Sequence, residues 1–167
     1  MKSYLETYME IEVPSPEENI AWLSGIIDGE GCLGLYKAFN SHRVVQTPNY
    51  YTRLAIYNTN LLIINRAKSI IHSLLGIYRY EERMDTRGNR KPCYRFVVSK
   101  RKLGELLKII RLTGKAEQQR LLLEAQQIIS SNRFINKSPE KIEINKRQLE
   151  DIRLRMKKLN RRGKIDA

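Results

Sequence analysis

A capped apolar helix that ends in two glycines and two carboxylates constrains the fold of this chain more than any other segment. Residues 15–18, SPEE, have the sequence of a capping box, which opens a helix. The helix runs through an apolar stretch and ends at residues 28–31, DGEG. Acidic side chains at this end oppose the helix dipole, so they cost stability unless a cation lies nearby.

A stripe of small residues follows the same helix. Ala21, Gly25 and Asp28 recur at i, i+4 and i+7, with Ser24 beside them. Small side chains let a second helix approach closely. The stripe therefore predicts a crowded contact between this helix and another one.

The pattern after Gly31 changes from helical to extended. Residues 32–39 and 49–58 alternate apolar residues with Tyr, Arg and small residues, and a helix over 61–75 follows, capped by Thr59 or Asn60. A second hairpin lies around residues 84–92, and helices over 99–112, 116–131 and 138–160 complete the chain. This order, α-β-β-α-β-β-α with additional C-terminal helices, predicts one α+β domain over residues 1–167. Its antiparallel sheet would carry helices on one face and polar, aromatic and basic residues on the other.

The net charge of the chain indicates the class of its binding partner. The chain has 31 Lys and Arg against 18 Asp and Glu, a formal net charge of +13. Such an excess indicates a polyanion, with nucleic acid as the first candidate and a basic solubilising surface as the alternative. No membrane partner is expected, because the helices have the pattern of core helices and no apolar run could span a bilayer.

Cysteine usage and the N-terminal segment indicate the compartment. Cys32 and Cys93 form no CxxC pair, and the acidic first residues lack the apolar core of a signal peptide. We therefore expect an intracellular protein, cytoplasmic or organellar (chloroplast or mitochondrion), and not a secreted one.

The candidate chemistry lies in Asp28, Gly29, Glu30 and Gly31. The histidines are His42 and His72 alone and no GxxxxGK[ST] phosphate loop is present, which disfavours histidine-based nucleases and nucleotide hydrolysis. A turn built from Asp-Gly and Glu-Gly is the alternative interpretation. Two carboxylates in a strongly basic chain indicate a divalent metal such as Mg²⁺ that meets phosphate, since hard cations prefer carboxylate and carbonyl oxygens.

Residues 22–31, WLSGIIDGEG, resemble the LAGLIDADG motif, and the order of elements resembles the homing endonucleases of that family, single-motif homodimeric type, over most of the chain. The resemblance implies a saddle-shaped sheet and a site-specific double-strand DNA endonuclease. It would hydrolyse phosphodiesters across the minor groove of a long pseudo-palindromic target and leave 3′ overhangs. The implied cofactor is Mg²⁺, with Mn²⁺ or Ca²⁺ as other occupants of the site.

The resemblance also implies roles for individual residues. Two motif helices would form the dimer interface through the small stripe, which comprises Ala21, Ser24, Gly25 and Asp28. Glu30 would be the main metal ligand, assisted by the Gly29 carbonyl, with Asp28 ranked below it. Asn60 matches the position that holds an active-site water, and Lys115 matches a basic residue that neutralises phosphate charge. A family arginine falls at Ile64, for which Arg66 is the candidate substitute.

Recognition is expected on the polar face of the sheet, where arginine can read guanine and asparagine adenine in the major groove. The candidate DNA-binding residues are Gly34, Tyr36, Asn40, Tyr51, Arg53, Tyr57, Arg79, Arg83 and Arg95, with Arg87 in a loop expected to contact phosphates. For each residue an ordinary solvated strand face is the alternative.

Two other functions fit the same features. One is an RNA-binding intron maturase of the same fold, which would make intron RNA a partner. The other is a sequence-specific DNA-binding protein that does not cleave. Retention of Glu30 favours cleavage over both, and the expected partners are double-stranded DNA and a second copy of the chain.

Overall fold

The computed structural model describes residues 14–39, 48–76, 81–85, 91–131 and 138–161, with residues 81–85 described by their backbone alone. Five helices and four strands occupy this part of the chain. They are α1 (Pro16–Glu30), β1 (Gly31–Phe39), β2 (Pro48–Asn58), α2 (Leu61–Leu75), β3 (Glu81–Asp85), β4 (Cys93–Ser99), α3 (Lys100–Ile109), α4 (Ala116–Ser131) and α5 (Pro139–Asn160). This order confirms the predicted α+β fold.

The predicted helix starts are confirmed by their caps. Ser15 and Glu18 form the capping box of α1, with the Glu18 carboxylate 2.7 Å from the Ser15 amide nitrogen. Asn60, rather than Thr59, caps α2, because its Oδ1 accepts a hydrogen bond from the Leu62 amide at 2.9 Å. Helix α3 ends at Ile109 instead of continuing to 112.

The four strands form one antiparallel sheet in the order β1-β2-β4-β3. Gly31 lies opposite Ile56, and Phe39 lies opposite Pro48. The start of β1 and the end of β2 therefore share one end of the sheet, which we call the motif end because α1 runs directly into β1 there. The opposite end, where β1 ends and β2 begins, is the distal end.

The core lies between the sheet and the helices. Leu54, Phe96 and Val98 on the inner face are fully buried, as are Leu23 and Ile27 of α1. Burial of such side chains contributes roughly 1.5–3 kcal/mol each, so the motif helix is fixed to the sheet by its apolar face. None of the described helices is long and apolar enough to cross a membrane.

Candidate active site and nucleic-acid interface

Asp28 joins the end of α1 to the turn between α3 and α4. Its Oδ2 accepts hydrogen bonds from the amides of Thr113 at 2.8 Å and Gly114 at 3.1 Å, and its Oδ1 accepts one from the amide of Lys115 at 3.0 Å. Hydrogen bonds to an ionised acceptor are stronger than those between neutral groups. Both oxygens of Asp28 thus hold the chain together, which disfavours the prediction that Asp28 is a metal ligand.

Lys115 supplies the cation that the acidic end of α1 requires. Its Nζ donates to the carbonyl of Ile27 at 2.8 Å and also to the carbonyl of Asp28. Both carbonyls belong to the last turn, where helical partners run out, although the Ile27 carbonyl also accepts the Gly31 amide. Burial lowers the pKa of Lys115, while Asp28, Cys32 and Glu30 act in the opposite direction. Lys115 is therefore a cap of the motif helix, a contact that the predicted phosphate role did not include.

Glu30 differs from Asp28 although only one residue separates them. It is the last residue of α1, it is exposed, and its carboxylate makes no hydrogen bond or ion pair with any described residue. The residue after Glu30 has to be glycine, because a Cβ on Gly31 would lie 2.5 Å from the carbonyl oxygen of Ile27. Glu30 is thus an open carboxylate at a helix end where the Asp28 carboxylate and the Ile27 and Asp28 carbonyls are already hydrogen-bonded.

The donor set at Glu30 fits a hard divalent cation in part. Glu30 offers a carboxylate and follows Gly29 directly in the chain. Mg²⁺ is commonly held by one or two carboxylates with water and substrate phosphate completing its shell. No group of three or more His, Cys, Asp and Glu side chains that could hold a metal occurs among the described residues. A single chain would therefore contribute one carboxylate, Glu30, to such a site.

Asn60 lies at the motif end, two residues beyond the end of β2. Its Oδ1 accepts a hydrogen bond from the Leu62 backbone amide, and its backbone amide donates to Asn58 Oδ1 at 2.8 Å. The side-chain NH₂ group remains the part of Asn60 that could hold a water, so its predicted role stays a prediction.

The arginine predicted as a substitute for the family arginine lies elsewhere. Ile64 is buried at 2% exposure, and the Arg66 guanidinium stacks 4.2 Å from the centre of the Trp22 ring. A cation over an indole face is favourable by roughly 0.5–1 kcal/mol at exposed positions. Arg66 thus joins α2 to α1.

The small stripe of α1 divides into an outer and an inner part. Ala21 and Gly25 are exposed, and a Cβ added at Gly25 would meet nothing within 4 Å. Ser24 is buried at 9% exposure and its hydroxyl donates to the Ile20 carbonyl at 2.8 Å. Ser24 thus lies on the inner side of the stripe, and its role in a dimer interface stays a prediction. Asp28 is likewise turned toward the α3–α4 turn.

The outer face of the sheet carries an aromatic and basic cluster. The rings of Tyr36 and Tyr51 stack with centroids 5.7 Å apart, and the Arg53 guanidinium lies 5.7 Å from the centre of the Tyr36 ring. A Cβ on Gly34 would lie 2.7 Å from that ring, so the glycine makes room for Tyr36. Burial raises the pKa of the Tyr36 hydroxyl. The register confirms that these four predicted residues share one surface.

The remaining predicted DNA-binding residues are distributed unevenly. Tyr57 is 39% exposed and lies opposite Arg95, which in turn lies opposite Arg83. Ala55 and Val97, between these rows, are nearly inaccessible at 4% and 5% exposure. Asn40, Arg79 and Arg87 lie outside the described residues, and the side chain of Arg83 does as well.

Several solved structures with a similar fold are homing endonucleases. I-CvuI, solved in complex with the I-CreI target in the presence of Mg, is 17% identical, with a TM-score of 0.61 over 83% of this chain and 82% of that chain. The LAGLIDADG homing endonuclease I-GzeII, in complex with its DNA target, is 13% identical, with a TM-score of 0.59 over 80% of this chain. I-LtrWI, bound to target DNA, is 12% identical with a TM-score of 0.52.

The extent of these matches varies. The chain spans 82% of I-CvuI but 43% of I-GzeII and 39% of I-LtrWI. No family sequence model matches the chain, and no curated protein matches it in sequence. At these identities the likeness concerns the fold: the chain has the fold of the LAGLIDADG homing endonucleases, as its motif and order of elements predicted.

Proposed function

We propose that the chain is a LAGLIDADG homing endonuclease, a metal-dependent enzyme that cleaves both strands of a specific DNA site. The observation that carries the proposal is the inequality of the two motif acids. Asp28 is saturated by backbone amides, whereas Glu30 is left open at the same helix end. An open carboxylate next to the negative pole of a helix is stabilised by a bound cation.

DNA would bind on the outer face of the sheet. The stacked pair Tyr36 and Tyr51 with Arg53 offers aromatic and guanidinium groups on a strand surface of the kind that fits the major groove. The Lys and Arg side chains that give the chain its net charge of +13 would supply the contacts to DNA phosphates. The proposed target is long and pseudo-palindromic, with the cuts made across the minor groove to leave 3′ overhangs.

At the cleavage site the chain would contribute four groups. Glu30, with the Gly29 carbonyl beside it, would hold Mg²⁺, and Mn²⁺ or Ca²⁺ could take its place. When bound, such a cation polarises the scissile phosphate and lowers the pKa of the attacking water. Asn60 would orient that water through its NH₂ group. Lys115 would offset the phosphate charge electrostatically and without direct contact, because its ammonium group is held by the carbonyls of Ile27 and Asp28.

A second copy of the chain would complete the site. Ala21 and Gly25 expose a smooth surface on α1, along which another motif helix could pack closely. Such a dimer would bring two Glu30 carboxylates together, one for each DNA strand. Replacing Gly25 with leucine would separate the helices, so the mass in solution should fall from dimer to monomer.

The test is DNA selection followed by cleavage. A randomised double-stranded DNA pool is enriched for binding in Ca²⁺ and the bound sequences are then incubated with Mg²⁺. Wild type should cut the enriched sequences at one position. Glu30→Gln should bind them with similar affinity and cut at least about 1000-fold more slowly, since a metal contact contributes several kcal/mol to the barrier.

Glu17→Gln is the matched control, because it changes an exposed glutamate at the opposite end of the same helix. Its cleavage rate should equal that of wild type. Wild-type binding without any cleavage would contradict the nuclease proposal and favour a non-cleaving DNA-binding protein. Selective binding of RNA over all DNA sequences would favour the maturase.

A further inference from the structure

A single glutamine fixes the segment that leads into the α3–α4 turn. The Oε1 of Gln119 accepts a hydrogen bond from the Leu112 amide at 2.9 Å, and its Nε2 donates to the carbonyls of Leu107 at 2.7 Å and Ile110 at 2.8 Å. A glutamine amide offers one acceptor and two donors, and here all of these groups are used. Gln119 therefore binds the last turn of α3 and the chain just after it at the same time.

These contacts explain why α3 ends early. The sequence pattern predicted a helix to residue 112, but Gln119 takes the carbonyls at the end of α3 and the amide of Leu112. Carbonyls in a last helical turn need such partners when they are removed from water. The chain beyond Ile110 is thus held in one path toward Thr113.

The same path leads to the motif acids. Immediately after Leu112, the amides of Thr113, Gly114 and Lys115 hold the Asp28 carboxylate, and the Lys115 ammonium holds the last carbonyls of α1. Glu30 lies two residues beyond Asp28 on the same helix end. A continuous series of hydrogen bonds and short backbone links therefore joins Gln119 to the end of α1.

We propose that Gln119 is a positioning residue for the Glu30 carboxylate. It would contact neither DNA nor metal, and it would act by holding the turn 113–115 in the geometry that Asp28 and Lys115 require. This inference rests on the proposed nuclease function for its effect on cleavage. Its effect on the turn itself is independent of that function.

Gln126 provides a matched control on the same helix. It lies seven residues after Gln119, on the same face of α4, and it too is a partly buried glutamine bound to α3. Its Nε2 donates to the carbonyl of Lys100, at the start of α3 rather than at its end, at 2.6 Å, and also to the hydroxyl of Thr52 in β2. Loss of the Gln126 amide should weaken the packing of α3 on α4 without affecting the turn 113–115.

The first measurement uses metal-free protein. Amide hydrogen exchange is followed for Thr113, Gly114 and Lys115 in wild type, Gln119→Leu and Gln126→Leu. Exchange of these three amides should be at least about 10-fold faster in Gln119→Leu than in Gln126→Leu, because opening of the turn releases them from Asp28. Equal exchange in the two variants would overturn the proposal, whatever the chain does to DNA.

The second measurement separates binding from cleavage. On the selected DNA, the dissociation constant of Gln119→Leu should stay within about threefold of the wild-type value. Its single-turnover cleavage rate should fall by about 10–100-fold, and half-maximal cleavage should need a higher Mg²⁺ concentration. Gln126→Leu should show the wild-type rate and Mg²⁺ dependence at an equal loss of thermal stability. Equal rate losses in both variants would mean that Gln119 only stabilises the fold.

A second substitution guards against loss of folding. Gln119→Glu keeps the acceptor for the Leu112 amide and removes both donors, so it should give the same pattern as Gln119→Leu. Wild-type rate and wild-type exchange in Gln119→Glu would also overturn the proposal. Absence of cleavage by wild type would contradict the nuclease function alone, since the exchange measurement would still decide the role of Gln119.

Discussion

The motif end and the distal end of this molecule are both built around acidic side chains, but they use them differently. At the distal end Glu150 is fully engaged: it accepts a hydrogen bond from the Tyr50 hydroxyl at 2.7 Å and pairs with Arg153 at 2.6 Å and Lys37 at 3.7 Å. At the motif end Asp28 accepts hydrogen bonds from three backbone amides, while Glu30 forms no hydrogen bond or ion pair with any described residue.

The difference teaches which acid to regard as functional. A carboxylate with several partners contributes to stability and is costly to replace. A carboxylate left open where the helix dipole opposes it lowers stability, which is typical of a site that awaits a ligand. Substitution of the partnered carboxylates should therefore affect stability, and substitution of the open carboxylate should affect activity.

The largest effect is expected when the two motif acids are compared directly. Glu30→Gln should leave the free energy of unfolding unchanged or raise it slightly, because it removes a charge that opposes the helix dipole, while cleavage falls at least about 1000-fold. Urea unfolding and a cleavage assay on the same preparations measure both. A clear loss of stability in Glu30→Gln would show that its carboxylate has a structural partner after all.

Asp28→Asn should show the reverse balance. The asparagine side chain retains one acceptor oxygen but turns an NH₂ group toward backbone amides. The free energy of unfolding should therefore fall by about 2–3 kcal/mol. The readout is the urea midpoint, with Asp151→Asn on the exposed face of α5 as control. If the free energy of unfolding changes by less than about 0.5 kcal/mol, as for an ordinary surface substitution, the hydrogen bonds from the turn 113–115 to Asp28 do not stabilise the fold.

Lys115→Met should have a smaller cost. The substitution keeps most of the side-chain volume but removes the ammonium group from the carbonyls of Ile27 and Asp28, which should lower stability by about 1–2 kcal/mol. Lys108→Met, at an exposed position in the last turn of α3, is the matched control. If both variants unfold at the same urea concentration, Lys115 is not a significant cap of the motif helix.

The smallest effect is the acid dependence of the distal end. The Arg153 hydrogen bond, together with Tyr50 and Lys37, lowers the pKa of Glu150 from 4.5 to about 2. A lowered pKa in the folded state means that the stabilisation is complete above pH 4.5 and disappears as the pH falls toward 2.

Wild type should therefore be more stable than Glu150→Gln by about 1 kcal/mol at pH 6, a value reduced by solvent screening, and the difference should vanish near pH 2. Urea unfolding between these pH values measures it. A difference that does not change with pH would mean that the carboxylate charge is not what Tyr50 and Arg153 stabilise.

Local pattern was sufficient to predict most of the fold. The capping box of α1, the alternation in β1 and β2 and the glycine at the end of α1 are signals contained within a few residues. Most elements lie close to their predicted bounds, with α3 ending earlier than predicted. Alternation also predicted which side of the sheet carries Tyr36, Tyr51 and Arg53, because neighbouring side chains of a strand point to opposite faces.

The contacts that distinguish the motif acids could not be predicted from local pattern. Asp28 meets amides 85 to 87 residues away in the sequence, and no local signal indicates such a pairing. Residue size also does not show which way a helix is rotated on its core, so the pattern could not predict that Ser24 is buried while Ala21 and Gly25 are exposed. Gln119 carried one usable signal: it recurs with Leu122 and Gln126 at i, i+3 and i+7, which places a polar side chain on a buried helical face.

The long sequence separation between Asp28 and its amides has a consequence for the order of assembly. Closing a loop of 85 residues costs conformational entropy that local helix contacts do not repay, so this clamp belongs among the late contacts of folding. A nascent chain that has not yet reached residue 115 contains the whole motif helix with its charges uncompensated. The geometry of the motif acids is thus completed only when a segment far along the chain arrives, which couples the readiness of the site to the near-complete fold.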